Sequence, residues 1–252
     1  MIRASTLKST PQTFKGPPRT VLVTGGTDGI GHEIAAIYAR RGDRVIVTGR
    51  TERRTIEGVR YWPLDQSQPN DAAQSVAQAC RADGGVDVAI LCAGTGILAT
   101  GGVEGAETIR RTLRVNLEAT VLIALALAPQ LLERGGTLAL VGSVARKGFA
   151  DLPSYAASKA GLHGFARALG EEWRGRANVV MLHPGPTRTG MQDKAGLDVS
   201  RIAWAFMPPT LMARMMVARI DGAGDAHRPV LATLGHGAGL RRALRERIGL
   251  AR

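Results

Sequence analysis

The chain has 252 residues, 44% of them hydrophobic, which suits one α/β domain with a sizeable core. Two isolated cysteines, Cys80 and Cys92, exclude a disulfide framework, and five histidines (His32, His163, His183, His227, His236) never fall at metal-ligand spacing, so no metal site is expected. Net charge +12 comes mostly from scattered arginines, only five of the 33 basic residues being lysine; with aromatics at 4% no stacking platform interleaves them, which argues against a dedicated nucleic-acid binder.

Residues 1–19, MIRASTLKSTPQTFKGPPR, hold Ser, Thr, Pro and basic residues and no acid. They are similar to a weak transit peptide but lack the apolar centre of a secretory signal, and a flexible extension is expected. No apolar run reaches the ~18 residues of a membrane span. With so few cysteines, a cytoplasmic setting is expected.

From Thr20 the chain alternates between two kinds of segment. Near-continuous apolar runs at 20–24, 44–48, 86–92, 137–142, 178–182 and 228–234, with a weaker one at 59–64, suit strands buried on both faces of a parallel sheet. Helical stretches lie between them, at 29–41, 70–82, 105–133, 152–174 and 208–220. The order predicts a single Rossmann-type domain over 20–252: a doubly wound parallel sheet of about seven strands with helices on both faces. Ligands in such folds bind at the carboxyl ends of the strands.

TGGTDGIG (24–31) occupies the first strand-to-helix turn. The pattern G-x-G-x-x-G would need glycine at 27 and 30, where Thr27 and Ile30 stand. Gly25 still turns the chain away from the strand, Gly29 lets backbone approach a pyrophosphate, and Gly31 lets the helix pack close. Farther on, PSYAASKAG (153–161) puts Tyr155 and Lys159 four apart, on one helix face. A lysine ammonium there is expected to lower the tyrosine pKa by ~2–3 units from ~10, making the phenol a general acid near neutral pH.

TGGTDGIG, VN (115–116), GSV (142–144), YAASK (155–159) and PGPTRT (184–189) follow one another in order. This set closely resembles the short-chain dehydrogenase/reductase family, from about Thr20 to Met191. Its pattern T-G-x-x-x-G-x-G is met by Thr24, Gly25, Gly29 and Gly31, which makes the first turn a phosphate cradle. The resemblance implies Tyr155 as proton donor to a carbonyl oxygen and Lys159 as its tuner and ribose ligand. Ser143 would hold the substrate oxygen, and Asn116 would hold a proton-relay water. Pro184, Gly185, Thr187 and Thr189 would clamp the nicotinamide carboxamide, and Asp65 would accept from the adenine amino group. Thr27, Asp28, Ile30, Ala93, Gly94 and Arg50 complete the implied cofactor contacts, with Gly25, Gly29 and Gly31.

Several positions depart from the family pattern. Leu91-Cys92-Ala93-Gly94 stands where N-N-A-G is frequent, and Cys92, read as a buried packing residue, lacks the asparagine's donors. Ser143 and Tyr155 are twelve apart, one fewer than commonly seen. Leu234-Gly235-His236-Gly237 replaces a D-G-G ending, so the resemblance leaves homodimer and homotetramer both open. In the lid segment at about 190–220, Trp204, Phe206 and Met207 suit either a hydrophobic carbonyl substrate or a lead-in that packs the following helix. Gly96, Ile97, Arg146 and Phe149 fall in the same cleft by position.

The cofactor expected is NADP(H). The second strand ends VIVTGR, with no acid between Asp43 and Glu52, and Arg50, Arg53 and Arg54 suit a 2′-phosphate. Asp28 argues the other way, standing where the family's NADP(H) enzymes often carry a base. The implied activity is carbonyl reduction to an alcohol, or the reverse, on a small molecule. A catalytically weak NADP-binding sensor is the alternative, although such relatives typically lose the tyrosine or lysine kept here.

Overall fold

A computed structural model describes residues 17–98, 103–150, 152–190, 206–223 and 230–234. Seven parallel strands form one sheet: β1 (Thr20–Thr24), β2 (Arg44–Gly49), β3 (Val59–Pro63), β4 (Val88–Leu91), β5 (Thr137–Val141), β6 (Asn178–Pro184) and β7 (Val230–Leu234). Their order is β3-β2-β1-β4-β5-β6-β7. The chain leaves β1 toward β2 and later returns to β4 on its other side, so the topological switch point lies between β1 and β4.

Pleating decides which layer each side chain joins. Val21 and Val23 of β1 point to one face, with Val45, Val47 and Ile90, where α1 (Gly29–Arg40) and the last helix, α6 (Pro209–Asp221), cover them. Leu22 points to the other face, covered by α2 (Pro69–Ala82), α4 (Ala119–Glu133) and α5 (Pro153–Glu172). Every position of β1 is therefore buried, whereas the edge strand β3 is only half-buried or exposed along its length.

The helical stretch expected over 105–133 is not uniform. It comprises α3 (Ala106–Leu113), a π turn (Arg114–Glu118) and α4, with the Ala119 N–H donating to the Arg114 carbonyl. By length and mean hydropathy the whole of 106–133 would pass for a membrane helix, although polar residues keep any unbroken apolar run in it well short of ~18. Ile123, Ala124, Leu127 and Leu131 are instead buried against the sheet.

Arg19, the last residue of the expected extension, is tied into the fold. Arg19 donates its main-chain N–H to Asp43 at 3.1 Å and its guanidinium to Asp43 and Asp221. Asp221, the last residue of α6, is also reached by Arg41 and by the Tyr38 hydroxyl of α1. One carboxylate thus ties the last helix to the first. At α5, Glu104 accepts from the Ser154 N–H and hydroxyl, both at 2.9 Å, and supplies the N-terminal cap that Leu152 lacks. Residues 1–16, Trp204 with the rest of 191–205, and the chain beyond Leu234 lie outside the described residues.

Candidate active site

The glycine-rich turn crosses the carboxyl end of β1 at the switch point. Gly25 has φ +66°, and a Cβ there would lie 2.8 Å from the Cα of Ala93. A Cβ on Gly31 would lie 2.5 Å from the Gly25 carbonyl oxygen. Only glycine fits either position. Asp28 caps α1 by accepting from the Gly29 N–H at 2.8 Å. Ile30 packs against the α1 side of the core, and buried Thr27 fills the space over Gly49, where a Cβ would meet its Oγ1 at 2.7 Å.

The turn after β6 folds onto this cradle. Pro184 ends the strand, the Thr187 hydroxyl donates to the Gly185 carbonyl at 3.0 Å, and Met207 and Pro186–Arg188 exchange main-chain hydrogen bonds at 3.0 Å. Thr189 reaches the first turn, since a Cβ on Gly29 (φ +56°) would meet its side chain at 3.2 Å. Two segments 160 residues apart in sequence are thus brought together at the carboxyl end of the sheet, where doubly wound folds bind their ligands.

Asn116, Ser143, Tyr155 and Lys159 converge on the same edge. Lys159 is buried, its Nζ donating to the Val141 carbonyl at 2.9 Å and lying 5.7 Å from the centre of the Tyr155 ring. A Cβ on Gly94 would come within 3.5 Å of Lys159 Nζ, and one on Gly96 within 3.3 Å of the Tyr155 ring. Ser143 Oγ accepts from the Ala145 N–H at 3.1 Å and lies near enough to Tyr155 to favour its ionised form. The side chain of Asn116, in the π turn, exchanges hydrogen bonds with the Thr95 main chain at 2.7 and 2.8 Å. It also donates to Ser158 Oγ at 3.1 Å. The extra residue of the π turn is where the helix meets this loop.

The expected depression of the Tyr155 pKa is not found. Burial pushes the phenol above its usual 10, Ser143 partly opposing. Lys159 sits over the ring with its proton turned to Val141, and burial lowers its own pKa to about 8. The cost of desolvating both groups exceeds their mutual effect.

At the exit of β2, Arg50 is exposed. Asp65 accepts from the Ser67 N–H at 2.9 Å, and that bond, aided by Arg50 and Arg111, holds its carboxyl below the usual range. Arg54 pairs with Glu33 of α1 at 3.3 Å. No group of three or more metal-binding side chains occurs among the described residues.

Residues 19–199 match the short chain dehydrogenase family model. The chain belongs to the short chain dehydrogenase family. It is 33% identical over 196 residues to the uncharacterised oxidoreductase YciK of Escherichia coli (strain K12), covering 70% of this chain and 77% of that one. A putative short chain dehydrogenase from Shigella flexneri complexed with NADP superimposes with TM-score 0.73 at 25% identity, over 84% of this chain and 96% of that one. A short-chain dehydrogenase from Sphingobium yanoikuyae in complex with NADPH gives 0.76 at 25% identity, over 93% and 94%.

Within this short chain dehydrogenase, the β4 exit, where Leu91-Cys92 stands in place of the frequent asparagines, is held through its main chain. Thr24 Oγ1 accepts from the Cys92 and Ala93 N–H groups at 3.1 and 3.2 Å, fastening the β4 exit to the cradle. Cys92 is half-buried, not fully buried as expected, and burial raises its thiol to about 11, which keeps it protonated and unreactive. Sequence reasoning missed Thr95, Ser158 and Glu104, whose partners are 21 to 50 residues away. It also missed His163, although its place one turn after Lys159 was a usable signal.

Proposed function

We propose that the chain is an NADP(H)-dependent oxidoreductase that reduces a small carbonyl compound to an alcohol, or runs the reverse. The observation that carries this is the meeting of Tyr155, Ser143 and Lys159 at the mouth of the glycine-lined cleft. Tyr155 donates its phenolic proton to the carbonyl oxygen while Ser143 holds that oxygen. A phenol with a raised pKa keeps its proton until the oxygen's developing charge withdraws it. Lys159, charged below about pH 8, favours the phenolate at that moment and faces the ribose side of the cleft. Asn116, its side chain committed to Thr95 and Ser158, is assigned to hold the relay water. The nicotinamide nucleotide supplies or accepts the hydride.

The pyrophosphate is assigned to Gly25, Thr27, Asp28, Gly29, Ile30 and Gly31, with Ala93 and Gly94 below. Pro184, Gly185, Thr187 and Thr189 are assigned to the carboxamide and Asp65 to the adenine. NADP(H) is favoured over NAD(H) because Arg50, Arg53 and Arg54 surround the β2 exit. A side chain at 49, where an acid would face the ribose, would meet Thr27. Two solved relatives hold NADP or NADPH. We read residues 20–252 as one catalytic domain working as at least a homodimer in the cytoplasm.

A panel of carbonyl compounds assayed with NADPH and NADH tests this. NADPH should give the higher kcat/KM, and Arg50→Asp should remove most of that advantage. Tyr155→Phe should lose ~10²–10⁴ in kcat with NADPH binding retained. A wild type preferring NADH, or an active Tyr155→Phe, would contradict the assignment.

A further inference from the structure

We infer that His183, anchored by His163, positions the Ser143 turn of the active site. Tyr155, Lys159 and His163 stand at i, i+4 and i+8 on α5 and share one face. His163 Nδ1 lies 2.9 Å from Nε2 of His183, with ring centres 5.0 Å apart. His183 is 1% exposed and immediately precedes Pro184, the start of the nicotinamide-side turn. The pair therefore links the helix that carries Tyr155 and Lys159 to the strand that opens the clamp.

The link extends to Ser143. The Gly142 N–H donates to the Leu182 carbonyl at 2.7 Å, which sets Gly142 beside His183. A Cβ on Gly142 would lie 2.4 Å from His183 Nδ1 and 2.5 Å from Met181 Cε. The imidazole occupies the space that a side chain at 142 would need, so the ring defines where the main chain leaves β5. The next residue is Ser143, whose hydroxyl meets Tyr155.

An apolar side chain could fill the same volume, but it could not accept or donate the bond to α5. The charges acting on the pair are Arg146, from the turn after β5, and Lys159 and Arg167, from α5. Among the described residues, no carboxylate acts on either ring. Burial and these cations push His183 down to about 4 and lower His163 as well, so the pair stays neutral near pH 7. A neutral pair can hold one donor facing one acceptor.

The catalytic part of this inference rests on the reductase reading. The test compares His163→Phe, which keeps a ring but loses Nδ1, with His163→Asn, whose amide can stand where Nδ1 does. His163→Leu replaces the Phe variant if that does not fold. The probes are NADPH with 9,10-phenanthrenequinone for turnover, and the Ser143 amide resonance of protein labelled with ¹⁵N-serine. His163→Phe should lower kcat about tenfold, leave NADPH affinity unchanged and shift the Ser143 resonance. His163→Asn should restore most of the rate and return the resonance toward its wild-type position. An unmoved resonance or an unchanged kcat in His163→Phe overturns the inference, and so does equal behaviour of the two variants. If the wild type does not reduce the quinone, the reductase reading fails on that probe, and the resonance alone decides the positioning.

Discussion

Lys159 is the costliest single residue in the site. Only 3% of it is exposed, and burial lowers its pKa from 10.5 to about 8. Between pH 8 and 10.5 the unfolded chain holds this proton more tightly than the folded one, so wild-type stability rises with pH over that window. At pH 7 the charged form carries the full penalty, roughly 3 kcal/mol, reduced by its hydrogen bond to Val141. Lys159→Met should therefore be at least as stable as the wild type at pH 7 by thermal melting, although inactive. Its advantage should shrink as pH approaches 10, and an advantage that grows instead would show that burial is not what strains the lysine. Tyr155 and Lys159 were legible because helical spacing alone pairs them. The direction of the tyrosine shift was not, because burial is a property of the packed site and not of the spacing.

At the scale of elements, the last helix depends on one carboxylate. Asp221 accepts from Arg19, Arg41 and Tyr38, and it is partly buried. Asp221→Ala would leave two guanidiniums and a hydroxyl without that partner, at a cost of about 2 kcal/mol or several degrees of Tm. Asp221→Asn, which keeps an acceptor oxygen, should recover part of the loss; equal melting of all three proteins would show that the clamp contributes nothing. Glu104 acts similarly across a shorter distance, capping α5 from the loop before α3. Neither link could be read from sequence, since each joins residues with no shared periodicity. The π turn was hidden for a related reason. The apolar pattern of 106–133 continues through it, and only the meeting of Asn116 with Thr95 marks the extra residue.

For the whole molecule, the outer face of the 106–133 helical stretch is where the proposed assembly would form. Leu113, Leu117, Val121 and Leu122 line a cavity flanked by Arg110, Arg114 and Glu118, and nearby Leu125 is 48% exposed. Leu117 packs against Gly161 of α5, so the two long helices offer one continuous apolar face. Light scattering at micromolar concentration should give at least a dimer, and Leu125→Arg or Val121→Arg should drive it toward monomer. A wild-type monomer would overturn the assembly proposed above.

The sequence by itself determined the doubly wound class, the strand positions to within a residue or two at most ends, and the glycines that the first strand-to-helix turn requires. Each of these follows from local rules: two-faced burial writes continuous apolar runs, and a tight turn tolerates no Cβ. Tertiary structure decided what those rules cannot express. It brought the Thr24 hydroxyl to the main chain of Cys92 and Ala93 and raised the Tyr155 pKa instead of lowering it. It also joined His163 to His183 across 20 residues, and Arg19 to Asp221 across 202. Desolvation and long-range hydrogen bonds depend on which surfaces meet, and that is fixed only when the helices close over the sheet.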